Sequence, residues 1–219
     1  NRTVRLNFWK GVRMARPNKR DHLVETAVRL FGQEGFHATG IDRILQEAGV
    51  ARMTLYKHFR SKDELILAAL RRRDEQFRTW FKSTIERHGG TPAQRLLASF
   101  DALEEWFEGR AFAGLPFSGC SFINAAAEYA ENAHPVHQVA AEHKKLLLEY
   151  IRLLCSSAGA RNPDELAWSI ALLHEGAIVT AQVSNDRNAA AGAKEIAKVL
   201  MAKHEVVVPE EKPRVMADA

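Results

Sequence analysis

Residues 52 to 58 carry side chains whose chemistry suits the grooves and phosphates of DNA. The guanidinium of Arg52 can bind guanine or phosphate, and Thr54 can donate to a phosphate or contact a thymine methyl group. Lys57 and its neighbours offer charge or hydrogen bonds to backbone oxygens, which fix the register of a protein on DNA without reading sequence. The candidate DNA-facing residues of this segment are Arg52, Met53, Thr54, Tyr56, Lys57 and His58.

The elements around this segment would hold it on a surface. Residues 40–60 contain two short helices with apolar positions in both, and they meet at Gly49. This is the anatomy of a helix-turn-helix, in which the first helix braces a second helix that lies in the major groove. Val50, Leu55 and Phe59 fit the inward face of the second helix. The side chains between them are therefore left for DNA.

The first helix of the motif and the long helix after it both begin at residues suited to phosphate. Thr39, with Asp42 three residues later, predicts an N-cap for the first short helix, and Ser61 with Glu64 predicts a capping box for a long helix. Because helix N-termini present free backbone N–H groups to anions, we add Thr39 and Lys62 to the DNA-facing set.

Charge is distributed unevenly along the chain. The first 73 residues hold 16 Lys and Arg against 7 Asp and Glu, whereas residues 74–219 hold 15 against 20. A basic first third joined to an acidic remainder predicts a polyanion-binding module attached to a body with another task. Nucleic acid is the obvious polyanion, although an anionic membrane surface would attract the same charge.

Helical periodicity dominates the whole sequence, and we expect an all-α protein with about nine helices. With 46% hydrophobic and 26% charged residues, the composition is that of an ordinary globular protein. The expected helices cover about 18–34, 40–48 and 52–59, a long stretch from 62 to the Gly89-Gly90 break, a helix opened by Thr91-Pro92, and about 122–129, 135–156, 163–183 and 189–204. No uninterrupted apolar run of about 18 residues occurs, so we expect no membrane segment.

The segment from Thr39 to Leu65, TGIDRILQEAGVARMTLYKHFRSKDEL, closely resembles the signature of the TetR family, as does AVRLFGQEGF from Ala27 to Phe36. The resemblance covers about residues 20–70 and implies a transcriptional repressor in which the eight DNA-facing residues named above contact the operator. One departure is Ala51, where the family commonly has Ser or Thr as helix cap. An alanine forgoes a capping hydrogen bond worth about 1 kcal/mol.

The resemblance also implies a domain plan. We expect a basic N-terminal arm at 1–17, a three-helix DNA-binding domain at 18–65, a helical effector-binding and dimerisation domain at 66–205 and a flexible tail at 206–219. The arm's basic residues (Arg2, Arg5, Lys10, Arg13 and Arg16) favour disorder over a minor-groove role.

Dimerisation is expected because one short reading helix offers too few contacts for tight specific binding. The last two long helices carry apolar stripes, and the corresponding pair in the family forms a four-helix bundle with its mate. The predicted dimer-interface residues are Leu166, Ile170, Leu173, Ala177, Thr180, Ala193, Ile196, Ala197 and Leu200. The alternative is that these stripes only build the internal core.

An effector pocket is expected in the body, where aromatic residues are interspersed with polar groups. Many of these aromatic residues must also build the core. The predicted pocket residues are Trp80, Phe100, Trp106, Phe107, Phe117, Cys120, Asn124, Glu128, Trp168 and His174. The mechanism implied is that a small, partly apolar effector shifts the long helix that starts near Lys62, and a near-palindromic operator is released.

Metal binding, a redox switch and catalysis have less support from the residues. His134, His137 and His143 lack the companion ligands of a recognisable metal site, and Cys120 with Cys155 could form a redox switch but are few enough to suggest a reducing cytoplasm. We expect no cofactor and no metal. The chain contains no phosphate loop or nucleophile elbow, so an enzyme is disfavoured. An activator, or a nucleoid or protein-interaction module without a ligand, remains open.

Overall fold

The computed structural model describes residues 18–209, which form nine α-helices and no strand within that range. The predicted arm at 1–17 lies outside the described residues. The helices are α1 (Lys19–Glu34), α2 (Ile41–Ala48), α3 (Arg52–His58), α4 (Lys62–His88), α5 (Pro92–Phe107), α6 (Ser121–Glu128), α7 (Pro135–Ser157), α8 (Pro163–Ser184) and α9 (Ala189–Lys203). The all-α prediction is confirmed, and the helix ends agree closely with the periodicity and the capping signals.

Helix ends show where local sequence decides structure. Thr91 accepts a hydrogen bond from the N–H of Gln94, whose side chain accepts from the Thr91 N–H, so the capping box starts α5. The predicted cap at Thr39 is wrong. Gly40 is the N-cap of α2, and the Thr39 hydroxyl instead donates to the carbonyl of Gly35 at 2.6 Å. Thr39 is fully buried, so it closes the loop between α1 and α2.

The first three helices pack around a small apolar centre. Leu23, Leu30, Ile44 and Leu55 are fully buried there, and Phe59 is 1% exposed. Helix α4 extends from this unit into the rest of the protein, since it packs on α1 at one end and on α5 and α7 further along. One continuous helix of 27 residues therefore joins both halves.

The remaining helices form the body. Helix α5 packs on α4, α7, α8 and α9, while α6 packs on α7. The predicted boundary of a flexible tail at 206 is too early, because Val206 is 4% exposed and the side-chain amide of Gln94 donates to the carbonyl of Pro209. Residues 210–219 lie outside the described range.

Helix α8 is apolar around most of its circumference. Within the described part of the chain it is the one helix whose length and mean hydropathy of 1.3 would suit a membrane span, with 39% of that stretch buried. His174 and Glu175 interrupt the run, which is why counting uninterrupted apolar residues did not identify it. One side of α8 packs on α7 and α9, and its other side is an exposed apolar stripe.

Candidate nucleic-acid interface and effector domain

Helix α3 has the shape required of a reading helix. Leu55 and, just after the helix, Phe59 face the core, whereas Met53 is 82% and Tyr56 48% exposed. Gly49 begins the turn before α3 with a left-handed φ of 62°, a conformation that costs glycine nothing. Ala51 at the N-cap makes no side-chain hydrogen bond, as its residue type predicts.

The basic residues of α3 differ in what they contact. Lys57 is exposed and near the end of α3, whereas Arg52 forms an exposed ion pair with Asp42 of α2. Exposed pairs are worth at most about 1 kcal/mol, so DNA can compete for the guanidinium. Thr54 and His58 are half-buried at the edges of the exposed face. Arg60, which our sequence analysis did not select, is exposed directly after α3.

Two predicted DNA-facing residues lie beside the motif and are engaged within the protein. Thr39 is removed from the set, since its side chain is buried and its hydroxyl is used. The ammonium of Lys62 donates to the carbonyl of His37 at 3.1 Å and is half-buried. Lys62 therefore fixes the loop between α1 and α2 to the start of α4.

Glu128 lies at the junction of the two domains and not in a pocket. Its carboxylate accepts hydrogen bonds from the backbone N–H of Phe36 at 2.9 Å and of His37 at 2.6 Å. The imidazole of His37 is 3.1 Å from the same carboxylate and stacks on Tyr129 at 4.7 Å. We call Phe36, His37, Glu128 and Tyr129 the α6 clasp. It ties the last turn of α6 to the DNA-binding domain.

Most of the predicted pocket aromatics form a continuous core. Phe77 of α4 lies at its centre, with ring centroids 5.5 Å from Trp80 and 4.9 Å from Trp106. Phe117 packs on Trp106 at 5.1 Å and on Phe107 at 4.9 Å. Close aromatic packing of this kind leaves little space, so these side chains are mainly core.

The polar members of the predicted pocket are paired. His174 is 8% exposed, and its Nε2 lies 2.8 Å from the Ser99 hydroxyl. Burial, and to a smaller extent the nearby Lys144 ammonium, together lower the pKa of His174 to about 3. The imidazole is consequently neutral at physiological pH. It is positioned to exchange a hydrogen bond with Ser99 but not to neutralise an anion.

Cys120 and Asn124 lie on and beside α6. The Sγ of Cys120 is 3.5 Å from the Lys144 ammonium, which is also paired with Glu175 at 2.8 Å. Asn124 accepts a hydrogen bond from the side chain of Gln182 at 3.1 Å. These contacts join α6 to α7 and α8.

The largest of the described spaces lies beside the predicted pocket residues, and two of these residues, Trp106 and His174, line smaller cavities. A cleft of about 240 Å³ lies between α4 and α7, and an inner cavity of about 40 Å³ reaches His174 and Lys144. Phe81 and Leu147 line both spaces and separate them. The cleft is lined by Glu75, Arg78, Thr79, Phe81, Lys82, Leu146, Leu147 and Tyr150. Of the predicted pocket residues, His174 lines the inner cavity.

The dimer residues need correction. Leu166, Ile170 and Ala197 are fully buried within the protomer, and Ala177 and Ala193 are at least nine-tenths buried. These side chains fill the protomer's own core and cannot also cover a partner. Leu173 and Leu200 are half-buried, while Thr180 and Ile196 are exposed.

A different stripe is exposed on the same two helices. Leu172 is 56% exposed, and Trp168, Val179 and Val183 of α8 are also exposed and lie on the same face of the helix by helical spacing. Trp168, which we predicted in the pocket, is 58% exposed and belongs to this stripe. We call this surface the α8–α9 stripe; its members are Trp168, Leu172, Val179, Val183, Ile196 and Val199.

The three histidines considered for metal serve separate purposes. His134 accepts a hydrogen bond from the N–H of Val136, His137 lies 2.9 Å from the carbonyl of Tyr129, and His143 is buried 2.7 Å from Asp74. Within residues 18–209 no group of three metal-ligating side chains converges.

Comparison with known proteins places these features in one family. Residues 23–69 match the family model described as bacterial regulatory proteins, tetR family, and residues 92–197 match the tetracyclin repressor-like C-terminal domain. The HTH-type transcriptional regulator YjdC of Escherichia coli K12 is 24% identical over 160 residues, covering 73% of this chain and 81% of YjdC. The HTH-type transcriptional activator FasR of Mycolicibacterium smegmatis is 35% identical over 99 residues, which is 45% of each chain.

Solved structures give the same result. SCO4454, a TetR-family transcriptional regulator from Streptomyces coelicolor, superposes with a TM-score of 0.76 at 28% identity, covering 85% of this chain and 95% of SCO4454. Each of these three relatives is described as a transcriptional regulator. The exposed reading helix, the all-α body and the matches to both family domains lead to one conclusion: this chain is a DNA-binding transcriptional regulator of the TetR family.

Proposed function

We propose that the protein is a cytoplasmic repressor that binds a near-palindromic operator as a homodimer and is released by a small, partly apolar effector. The observation that carries the proposal is the reading helix α3, whose outward side chains are exposed and which packs on α1 and α2. FasR is named an activator, so activation from the same site is the alternative.

We assign DNA contact to Arg52, Met53, Thr54, Tyr56, Lys57, His58 and Lys62, and we add Arg60. Lys57 and Arg60 suit phosphate, because both side chains are positively charged and exposed. Met53, with four-fifths of its surface exposed at the tip of the helix, suits apolar contact such as a thymine methyl group.

We assign dimerisation to the α8–α9 stripe. Six large apolar side chains on two neighbouring helices are more than an isolated soluble protein usually exposes in one place. A second copy related by a two-fold axis would cover the stripe with the same stripe, giving a four-helix bundle. That arrangement would hold two α3 helices at the spacing of one DNA turn, about 34–36 Å.

We assign effector entry to the cleft between α4 and α7. Phe81 and Leu147, which line this cleft, also line the smaller cavity beside His174. A molecule that displaced these two side chains would join both spaces and press on α4, which continues into the DNA-binding domain. Release requires the effector to bind the DNA-incompetent shape more tightly, by about 1.4 kcal/mol for each tenfold loss of operator affinity.

The proposal is tested by selecting an operator from random duplexes and measuring its affinity for wild type and for Lys57→Ala at several salt concentrations. We expect weaker binding to all sequences and a salt slope reduced by about one unit, since one phosphate contact is lost. Lys145→Ala is the matched control, because Lys145 is an exposed lysine on α7. A selection that yields no preferred sequence would refute the operator model, and a Lys57→Ala slope equal to that of Lys145→Ala would remove Lys57 from the interface.

A further inference from the structure

Arg73 of α4 has a buried guanidinium without a polar partner. The residue is 9% exposed, and its Nη1 is fully buried with no hydrogen bond within the described range. Other arginines of α4 behave differently, since Arg72 pairs with Glu25 at 3.2 Å and Arg78 with Asp74 at 2.8 Å. A buried cation that lacks such a partner is costly. The groups around the Arg73 guanidinium therefore indicate what kind of ligand could pair with it.

The immediate neighbours of Arg73 are aromatic. Its guanidinium carbon lies 4.0 Å from the ring centroid of Phe112 and 6.0 Å from that of Phe77. Burial lowers the pKa of Arg73 to about 10, so the group still carries its charge at neutral pH. Aromatic faces stabilise a cation only partly and leave its N–H donors free.

Arg73 lines two small cavities, of about 20 and 10 Å³. The larger one is lined by Ser118, Gly119 and Ser121 and reaches Trp106 on its apolar side. Ser121 is the first residue of α6, whose N-cap makes no side-chain hydrogen bond. The first N–H groups of a helix have no intrahelical partner and favour anions. Arg73 and Ser121, the first residue of α6, thus line the same small space.

We propose that this space is a binding site for a carboxylate, held by Arg73 and the N-terminus of α6. A cavity of about 20 Å³ accepts only one or two water-sized groups. Two coplanar carboxylate oxygens match that volume and the fork of the guanidinium better than a tetrahedral phosphate. The apolar wall at Trp106 sets the direction for the remainder of the molecule.

The site has a direct route to the DNA-binding domain. Helix α6 has eight residues, begins at the carboxylate site and ends in the α6 clasp, where Glu128 holds the N–H groups of Phe36 and His37. Val28 and Gly32 of α1 also line both cavities. A carboxylate that draws the start of α6 towards Arg73 would shift both α1 and the clasp. This consequence rests on the proposed function, whereas the binding site itself does not.

The test titrates sodium acetate into the full chain, with sodium chloride and sodium phosphate as separate arms at equal ionic strength. The readout is the nuclear magnetic resonance signal of the Arg73 Nε–H group, assigned by its loss in Arg73→Lys. We expect a saturable movement with acetate only. Acetate should also raise the melting temperature of wild type and of Arg71→Met, an exposed arginine of the same helix, but not that of Arg73→Met.

Arg73→Met should melt no lower than wild type, because it removes an unpaired buried charge. If that variant does not fold, Arg73→Lys takes its place, with acetate affinity at least tenfold weaker because the fork is lost. Absence of a saturable acetate response, a response to phosphate instead, or equal stabilisation of Arg73→Met would overturn the site. Acetate binding that leaves operator affinity unchanged would overturn the coupling through α6, whereas a wild-type protein that selects no operator would refute the proposed function alone.

Discussion

The α8–α9 stripe can be tested at Leu172, whose contribution follows from its exposure. Full burial of a leucine side chain is worth about 1.5–3 kcal/mol. Leu172 is 56% exposed in the protomer, so a partner that covers it would gain about 1–1.5 kcal/mol from this side chain. A two-fold axis brings two copies into the interface, which doubles the effect to about 2–3 kcal/mol.

Leu172→Ala should therefore raise the dissociation constant of the dimer by about 30- to 150-fold. Sedimentation equilibrium over a range of protein concentrations measures this constant directly. Leu153→Ala is the matched control, because Leu153 is 61% exposed but lies on α7, outside the stripe. Operator binding by Leu172→Ala should become steeper in protein concentration, as dimerisation and DNA binding become linked.

An unchanged dimer constant in Leu172→Ala, or equal weakening by Leu153→Ala, would contradict this reasoning. The first result would place the interface on another surface. The second would mean that loss of any large exposed apolar side chain weakens association, which is the behaviour of non-specific aggregation and not of a two-fold interface.

Two further predictions concern buried or tied polar groups. Burial holds His174 neutral when folded, with its pKa lowered to about 3, whereas in the unfolded chain it takes up a proton below about pH 6.5. The contribution of neutral His174 to the free energy of unfolding is therefore fully present above pH 6.5 and is lost as the pH falls towards 3, by about 2 kcal/mol at pH 5. Urea unfolding at pH 8 and pH 5 should show this loss in wild type but not in His174→Gln. The same pH dependence in both proteins would refute the assignment to His174. Glu128→Ala removes two hydrogen bonds from backbone N–H groups, which are worth about 2 kcal/mol together. The amides of residues 36 and 37 should therefore exchange hydrogen faster in this variant, whereas the control Glu131→Ala, at an exposed position, should leave their exchange rates unchanged. Equal exchange rates in Glu128→Ala and wild type would show that the α6 clasp does not hold the loop between α1 and α2.

The sequence predicted the positions of the helices because each helix carries its own signals. The capping box at Thr91 and the prolines that start α7 and α8 act within one turn, and the stripe of α1 repeats with the helical period. The reading helix was found for the same reason. Its inward residues and its basic face lie within ten consecutive positions, 50–59, so no long-range contact was needed to recognise them.

The faces of α8 could not be assigned in the same way. Leu166 and Ile170 point into the protomer, while Trp168 and Leu172 point out of it, and all four are large and apolar. When both sides of a helix are apolar, periodicity does not distinguish the side that meets the protomer from the side that meets a partner. Only the position of α9 and α7 against α8 resolves this.

Contacts between distant parts of the chain were also outside the reach of pattern analysis. Glu128 was predicted in the pocket because it is one of the polar residues interspersed among the aromatic residues of the body, yet its partner N–H groups lie 92 and 91 positions earlier. The hydroxyl of Thr39 looked like a cap because the residue types around it fit, although the loop turns it inward. In both cases the partner lies outside the local pattern that suggested the prediction.

The free energy of the α6 clasp limits the change in operator affinity that a ligand can cause through it. Its two hydrogen bonds to backbone N–H groups, with the partly exposed His37 contact, are worth about 2–3 kcal/mol in total. A ligand that acts only by breaking or making this clasp can change operator affinity by about 30- to 150-fold at most. A larger change would require the paired α3 helices to move apart as well, through α4 and the dimer interface. The size of the affinity change in wild type and Glu128→Ala therefore separates the two routes, since only the route through α6 is lost in the variant.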